Sequence, residues 1–271
     1  MKASTSNPPV GSGRAMDTGP ELARYDRERA AHNKIFSEHT RDSALKFYRI
    51  VHQSRALYEG TLLAHCAGSS TLEYGCGPGT HSSVLAQSGA ARVVGIDISD
   101  VAIEQARAEA IRRGLTQMEH FQMNAESLEF EPDSFDLIYG TAILHHLDLT
   151  RAFSELARTL RPDGTAVFME PLGHNPFINL YRRMTPGLRT IDEHPLLVSD
   201  LRLLHKYFGK VQLQFFGLQT LLAVPFHGGP SFRPLLTVLE AADGMLFSVL
   251  PFTKRYAWQV VVILEDPIKA S

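Results

Sequence analysis

A chain of 271 residues suits one α/β domain of about 200 residues with additions, and length alone also permits two domains. Its 44% hydrophobic and 21% charged content is that of a soluble globular protein, and a net charge of −2 leaves no electrostatic footprint for nucleic acid. The two cysteines, Cys66 and Cys76, show no C-x-x-C spacing, which argues against a disulfide frame or a zinc site and leaves no metal expected.

Residues 1–20 are rich in Ser, Pro, Gly and Thr and are expected to be a disordered tail without a charged-then-apolar leader pattern. The apolar run nearest to a span of about 18 residues, 234–251, carries Glu240 and Asp243 and reads as a helix with one buried face. A soluble, cytoplasmic protein with no membrane partner is expected. Residues 21–67 read as two or three helices, because Ile35, Phe36, Leu45, Ile50, Leu57 and Leu62 recur near helical spacing. They form a cap ahead of a domain over residues 68–271.

That domain opens on Leu72-Glu73-Tyr74-Gly75-Cys76-Gly77-Pro78-Gly79-Thr80, a short strand end followed by three alternate glycines and a helix over 80–91. Glycine permits φ > 0 and lets a ligand lie on bare backbone, while the helix start supplies N–H donors. Gly75, Gly77 and Gly79 spell G-x-G-x-G. The dinucleotide fingerprint needs a glycine where Thr80 stands, and no G-K-[ST] of a P-loop follows. Beyond the loop the strand 92–97 ends in Asp97, where an acid can accept hydrogen bonds from both ribose hydroxyls of a nucleoside.

The alternation then continues. A helix over 101–113 starts behind Ser99-Asp100 and stops at Gly114. Strands follow at 120–123, 134–140 and 165–170, with a helix over 150–160 and a turn at Arg161-Pro162-Asp163-Gly164. A helix over 199–208 and strands 211–216 and 258–264 close the chain, the last two as an antiparallel pair. Insertions at about 172–206 and 219–256 serve as lids. Short links between alternating strands and helices predict an α/β, Rossmann-like seven-stranded sheet, mostly parallel with one antiparallel strand near the edge.

From about Gly60 to Glu170 this set resembles the class I S-adenosylmethionine-dependent methyltransferases. The resemblance implies S-adenosylmethionine as cofactor and S-adenosylhomocysteine as product. It implies that Glu73, Gly75, Gly77 and Gly79 cradle the methionyl part and that Asp97 binds the ribose. Asn124 and Glu126 compete for the adenine amino group, and Ile98, Ala125 and Thr141 complete the cofactor set. A non-catalytic cofactor-binding protein is the rival from another class.

Methyl transfer from a sulfonium is an in-line displacement, in which positioning can supply about 7–11 kcal/mol. Heteroatom acceptors also lose a proton, for which histidine is the natural base. His145 and His146 stand at the carboxyl edge of the sheet. Side chains at adjacent helical positions diverge by about 100°, so one of them faces the methyl; His146 is favoured and His145 is the alternate, unless both only shape the site. Glu170 either hydrogen-bonds substrate or anchors the loop after it. Tyr25, Tyr48, His174, Phe177, Tyr181 and Phe226 are candidate substrate contacts, and so apolar a set suits a small lipophilic acceptor. The N-terminal helices, the H-H-L turn and the stretch 170–176 resemble natural-product enzymes, such as those of teleocidin assembly, that methylate an alkene carbon of a terpenoid and let the cation rearrange or cyclise. A phenol or amine methylated at oxygen or nitrogen is the alternative. A homo-oligomer lending its first helix to a neighbour is a further expectation.

Overall fold

The computed structural model describes residues 19–38, 50–185 and 193–269. Residues 1–18 of the expected tail and Tyr48 lie outside the described residues, whereas Gly19 and Pro20 already begin the first helix. A long helix, α1 (Gly19–Glu38), and a second, α2 (His52–Ala64), precede the sheet. Then come β1 (Ser70–Tyr74), α3 (Thr80–Gln87), β2 (Arg92–Asp97), α4 (Asp100–Arg113), β3 (Met118–Gln122), β4 (Phe135–Thr141), α5 (Leu149–Thr159) and β5 (Leu160–Pro171). The C-terminal part holds α6 (Pro176–Met184), the single turn α7 (Val198–Leu201), β6 (Phe208–Phe216), α8 (Phe232–Val249) and β7 (Gln259–Pro267).

The seven strands form one sheet in the order β3-β2-β1-β4-β5-β7-β6, parallel except for β7, which runs antiparallel to both β5 and β6. This is the Rossmann-like sheet that the alternation predicts. Each inner strand is covered on both faces, so alternate residues feed different cores. On one face Leu72, Tyr74, Ile138, Phe168 and Val262 pack with Phe153 and Leu156 of α5. On the other, Leu137, Tyr139, Val167 and Val261 meet Tyr58 and Leu62 of α2. Burying an apolar side chain of that size contributes about 1.5–3 kcal/mol, so α2 is held to the sheet by its core contacts.

Several boundaries move for local reasons. The helix after the glycine loop ends at Gln87, ahead of Gly89 at φ +98°, and does not reach residue 91. The helix expected at 150–160 is α5, capped by Asp148, whose Oδ1 accepts from Thr150 and Arg151 N–H. Residues 161–164 are not a free turn. Pairing jumps from Phe135–Leu160 to Leu137–Thr165, so the segment bulges within the ladder. The helix expected over 199–208 is α7 and a 3-10 turn, and Phe208 already starts β6. Among the described residues no helix is long and apolar enough to cross a membrane.

Candidate functional site

A cavity of about 100 Å³ opens above the carboxyl ends of β1, β2 and β4, under α1. Its floor is the glycine turn. Gly75, Gly77 and Gly79 all take left-handed φ, of +64°, +51° and +77°. A Cβ on Gly75 would come within 2.9 Å of the Ile143 side chain, and one on Gly77 within 3.3 Å of the Phe36 ring of α1. Gly75 lines the cavity, whereas Gly77 and Gly79 shape the turn behind it. Burial raises the Cys76 thiol well above its usual range, which removes it as a nucleophile.

Glu73 stands below the loop and does not line the cavity. One of its oxygens, Oε2, accepts from Ser82 N–H at 2.9 Å, from the Ser82 hydroxyl and, at 3.4 Å, from the Tyr139 hydroxyl. His81 Nδ1 lies 3.5 Å from the other. In this structure the Glu73 carboxylate caps the first turn of α3 and fixes the floor.

Asp97 does face the cavity. Its Oδ2 accepts from Gly77 N–H at 2.9 Å and its Oδ1 from Ser99 N–H at 2.8 Å. Each oxygen keeps a second lone pair for a hydroxyl. Burial pushes its carboxyl above the usual range, outweighing those two donors. Ile98, Asn124, Ala125, Glu126 and Thr141 continue the wall. Of the two residues competing for an adenine, Glu126 is committed: it takes both Arg24 Nη2 contacts, at 2.5 and 2.6 Å, and Asp148 N–H at 2.8 Å. Asn124 uses only its Oδ1, on Glu126 N–H.

The turn after β4 carries the histidines. Ala142 sits at φ +52°, costly for a residue with a Cβ. Glu170, fully buried, holds the turn in place. Its Oε1 accepts from Ile143 and Leu144 N–H at 2.8 and 2.9 Å, and its Oε2 lies 2.8 Å from His145 Nδ1. Neither Glu170 nor His145 lines the cavity; Glu170 anchors the turn, and His145 is buried against it. His146 does line it. Its Nδ1 lies 3.3 Å from Glu28 Oε2, and both residues line the cavity. Burial holds the imidazole below its usual range and outweighs the pull of Glu28.

The far wall is α1, contributing Arg24, Tyr25, Glu28, His32 and Phe36. Polar contacts seat it: Arg24 on Glu126 and on His146 C=O at 3.2 Å, and Asn33 on Asp100 and Ser99. Glu28 and His32 escaped the sequence reading. Their signal was the i,i+4 spacing, which puts both on one helix face. His174, Phe177, Tyr181 and Phe226 are not brought to this cavity; Phe177 and Phe226 are 64% and 50% exposed. A second cavity of about 340 Å³ lies against β6 and α8, at the opposite edge of the sheet from β3.

Residues 72–168, from β1 into β5, match the family model described as a methyltransferase domain. The chain is 33% identical over 115 residues to a ubiquinone biosynthesis O-methyltransferase of Neisseria meningitidis, covering 42% of this chain and 48% of that one. It is 34% identical over 119 residues to the O-methyltransferase cnsE of Penicillium expansum, covering 43% of each. The chain thus spans about half the length of the curated relatives it matches. Among solved structures, a geranyl diphosphate C-methyltransferase from Streptomyces coelicolor superposes with a TM-score of 0.59 at 14% identity, over 90% of this chain and 98% of that one. The YcgJ protein of Bacillus subtilis gives 0.54 at 22% identity, over 81% and 99%. These likenesses show the fold.

Proposed function

We propose that this chain transfers the methyl group of S-adenosylmethionine to a hydroxyl oxygen of a small, largely apolar acceptor. The carrying observation is one cavity in which a glycine floor and the buried Asp97 stand opposite the polar cluster Glu28, His32 and His146. The match of residues 72–168 to a methyltransferase domain and the names of the curated O-methyltransferase relatives support it. The left-handed glycines and Asp97 fit the cofactor: Asp97 for the ribose hydroxyls, Gly75 backbone beneath the methionyl part, and Asn124 with Ala125 for the adenine. Bound there, the cofactor supplies an electrophilic methyl on a sulfonium.

The chain's own task is to hold the acceptor oxygen in line with that methyl, keep water out, and handle one proton. The Glu28–His32–His146 cluster is the polar group on the acceptor side. Tyr25 and Phe36 supply ring surface beside it. Those rings support a second reading, methylation of an alkene carbon, because aromatic faces favour a developing cation. The acceptors to offer are therefore phenols and prenylated indoles side by side. Calorimetric titration with S-adenosylhomocysteine, with NAD as control, tests the cofactor. Mass spectrometry for a gain of one methyl tests the acceptor, and the site of that methyl separates oxygen from carbon. Absence of S-adenosylhomocysteine binding to the folded chain would overturn the proposal.

A further inference from the structure

We infer that Glu28, His32 and His146 form a binding site for one divalent transition-metal ion, Zn2+ by donor set, facing the cavity. The inference rests on the oxygen-methylation reading for its chemical use but not for its existence. The three donor atoms lie within 4.8 Å of one another. Glu28 Oε2 is 3.3 Å from His146 Nδ1 and 3.5 Å from His32 Nε2. Those separations are long for charge-assisted hydrogen bonds, which run about 2.7–2.9 Å. They match the edges of a tetrahedron: bonds of about 2.0–2.1 Å from zinc to nitrogen or oxygen place neighbouring ligands roughly 3.3–3.4 Å apart.

The rings do not block convergence, since His32 and His146 meet at 77° with centroids 5.2 Å apart. Two histidines and one carboxylate, with the fourth position open, are the donor set of catalytic zinc. The open side here is the cavity. Glu28 and His32 stand one turn apart on α1, and His146 comes from the turn after β4, so the ion would join the two walls. An overlapping set, His145, His146 and Glu193, also meets the spacing. His145 Nδ1 is engaged by Glu170, which leaves the α1 set the better one. The cysteine spacing that argues against a zinc site says nothing of histidine and carboxylate donors.

An ion there would bind the acceptor hydroxyl and lower its pKa. The O–H proton passes to solvent. The oxygen lone pair forms the new O–CH3 bond as the S–CH3 bond breaks, and its electron pair stays on sulfur. Acceptor and sulfonium become ether, thioether and one proton.

The test loads chelator-treated full-length protein with Co2+ and reads its visible absorption, then counts Zn2+ per chain after dialysis. Expected are the intense bands of four-coordinate Co2+, displaced by one equivalent of Zn2+. Glu28→Gln and His32→Ala should each weaken binding by at least about 100-fold, since even outer-shell changes cost 10–100-fold. Circular dichroism checks that both variants remain folded, and His32→Cys, which restores a ligand, should recover Zn2+ binding. No uptake, or uptake unchanged in both variants, overturns the site. S-adenosylhomocysteine titration of the same samples separates the two ideas: cofactor without metal sinks this site alone, and metal without cofactor sinks the methyl-transfer reading.

Discussion

At the residue scale, the site depends on buried carboxylates with distinct tasks. Asp97 orders the backbone at Gly77 and Ser99 while presenting lone pairs to the cavity. Hydrogen bonds to a charged group contribute about 1.5–3 kcal/mol each. Asp97→Ala should therefore weaken S-adenosylhomocysteine binding by at least about 100-fold in calorimetry, and near-normal affinity would remove the ribose assignment. Glu170 stitches the turn that carries His146. Glu170→Gln keeps one acceptor but disturbs the His145 contact, and should cost about 1–3 kcal/mol of stability in urea unfolding. A stability loss below experimental error would show that the strained Ala142 turn holds itself. The glycine spacing and Asp97 were legible because each is a local pattern. Glu28 was not, because its meeting with His146 is a tertiary contact across most of the domain, and a lone acid on a polar helix looks like solvated surface.

At the element scale, α1 is seated mainly through side-chain hydrogen bonds, and elements held that way open locally before the core does. Arg24→Ala leaves Glu126 without its guanidinium. Amides of α1 should then exchange at least about tenfold faster, corresponding to roughly 1.4 kcal/mol, while those of β1 and β4 stay protected. Equal acceleration everywhere would mean that α1 unfolds only with the sheet. The start of α3 has a pH dependence of its own. Burial lowers the His81 pKa, but the Glu73 hydrogen bond and charge outweigh it, and the net shift is upward. A raised folded-state pKa adds stability that is complete below the unfolded value near 6.5 and fades as pH rises through the folded one. The midpoint advantage of wild type over His81→Gln should accordingly be larger at about pH 5.5 than at about pH 8.5. An advantage independent of pH would assign the contact to packing.

At the scale of the whole molecule, the mostly parallel seven-stranded sheet with its lone antiparallel strand follows from the alternation of elements, because parallel strands with short links admit few topologies. Where the alternation stopped, so did legibility. Aromatic composition points Phe177 and Phe226 toward a substrate, yet a run of aromatics does not say which surface it faces, and neither residue lines the cavity. The C-terminal additions are tied to the body around Trp258, the single tryptophan, which is buried with Ile50, Val51, Ile178 and Leu236. Its emission should shift in the same denaturant transition as the far-ultraviolet signal of the sheet. Separate midpoints would make the additions an independent folding unit.

The cavity has two walls drawn from different parts of the chain. One is drawn from the stretch matched by the methyltransferase model, and the other from α1, a twenty-residue helix outside it. On the proposed reading, recognition of the methyl donor and recognition of the acceptor fall to these two separate parts of the chain. Exchanging residues 19–38 would then redirect the methyl group while the residues proposed to grip its carrier stay untouched.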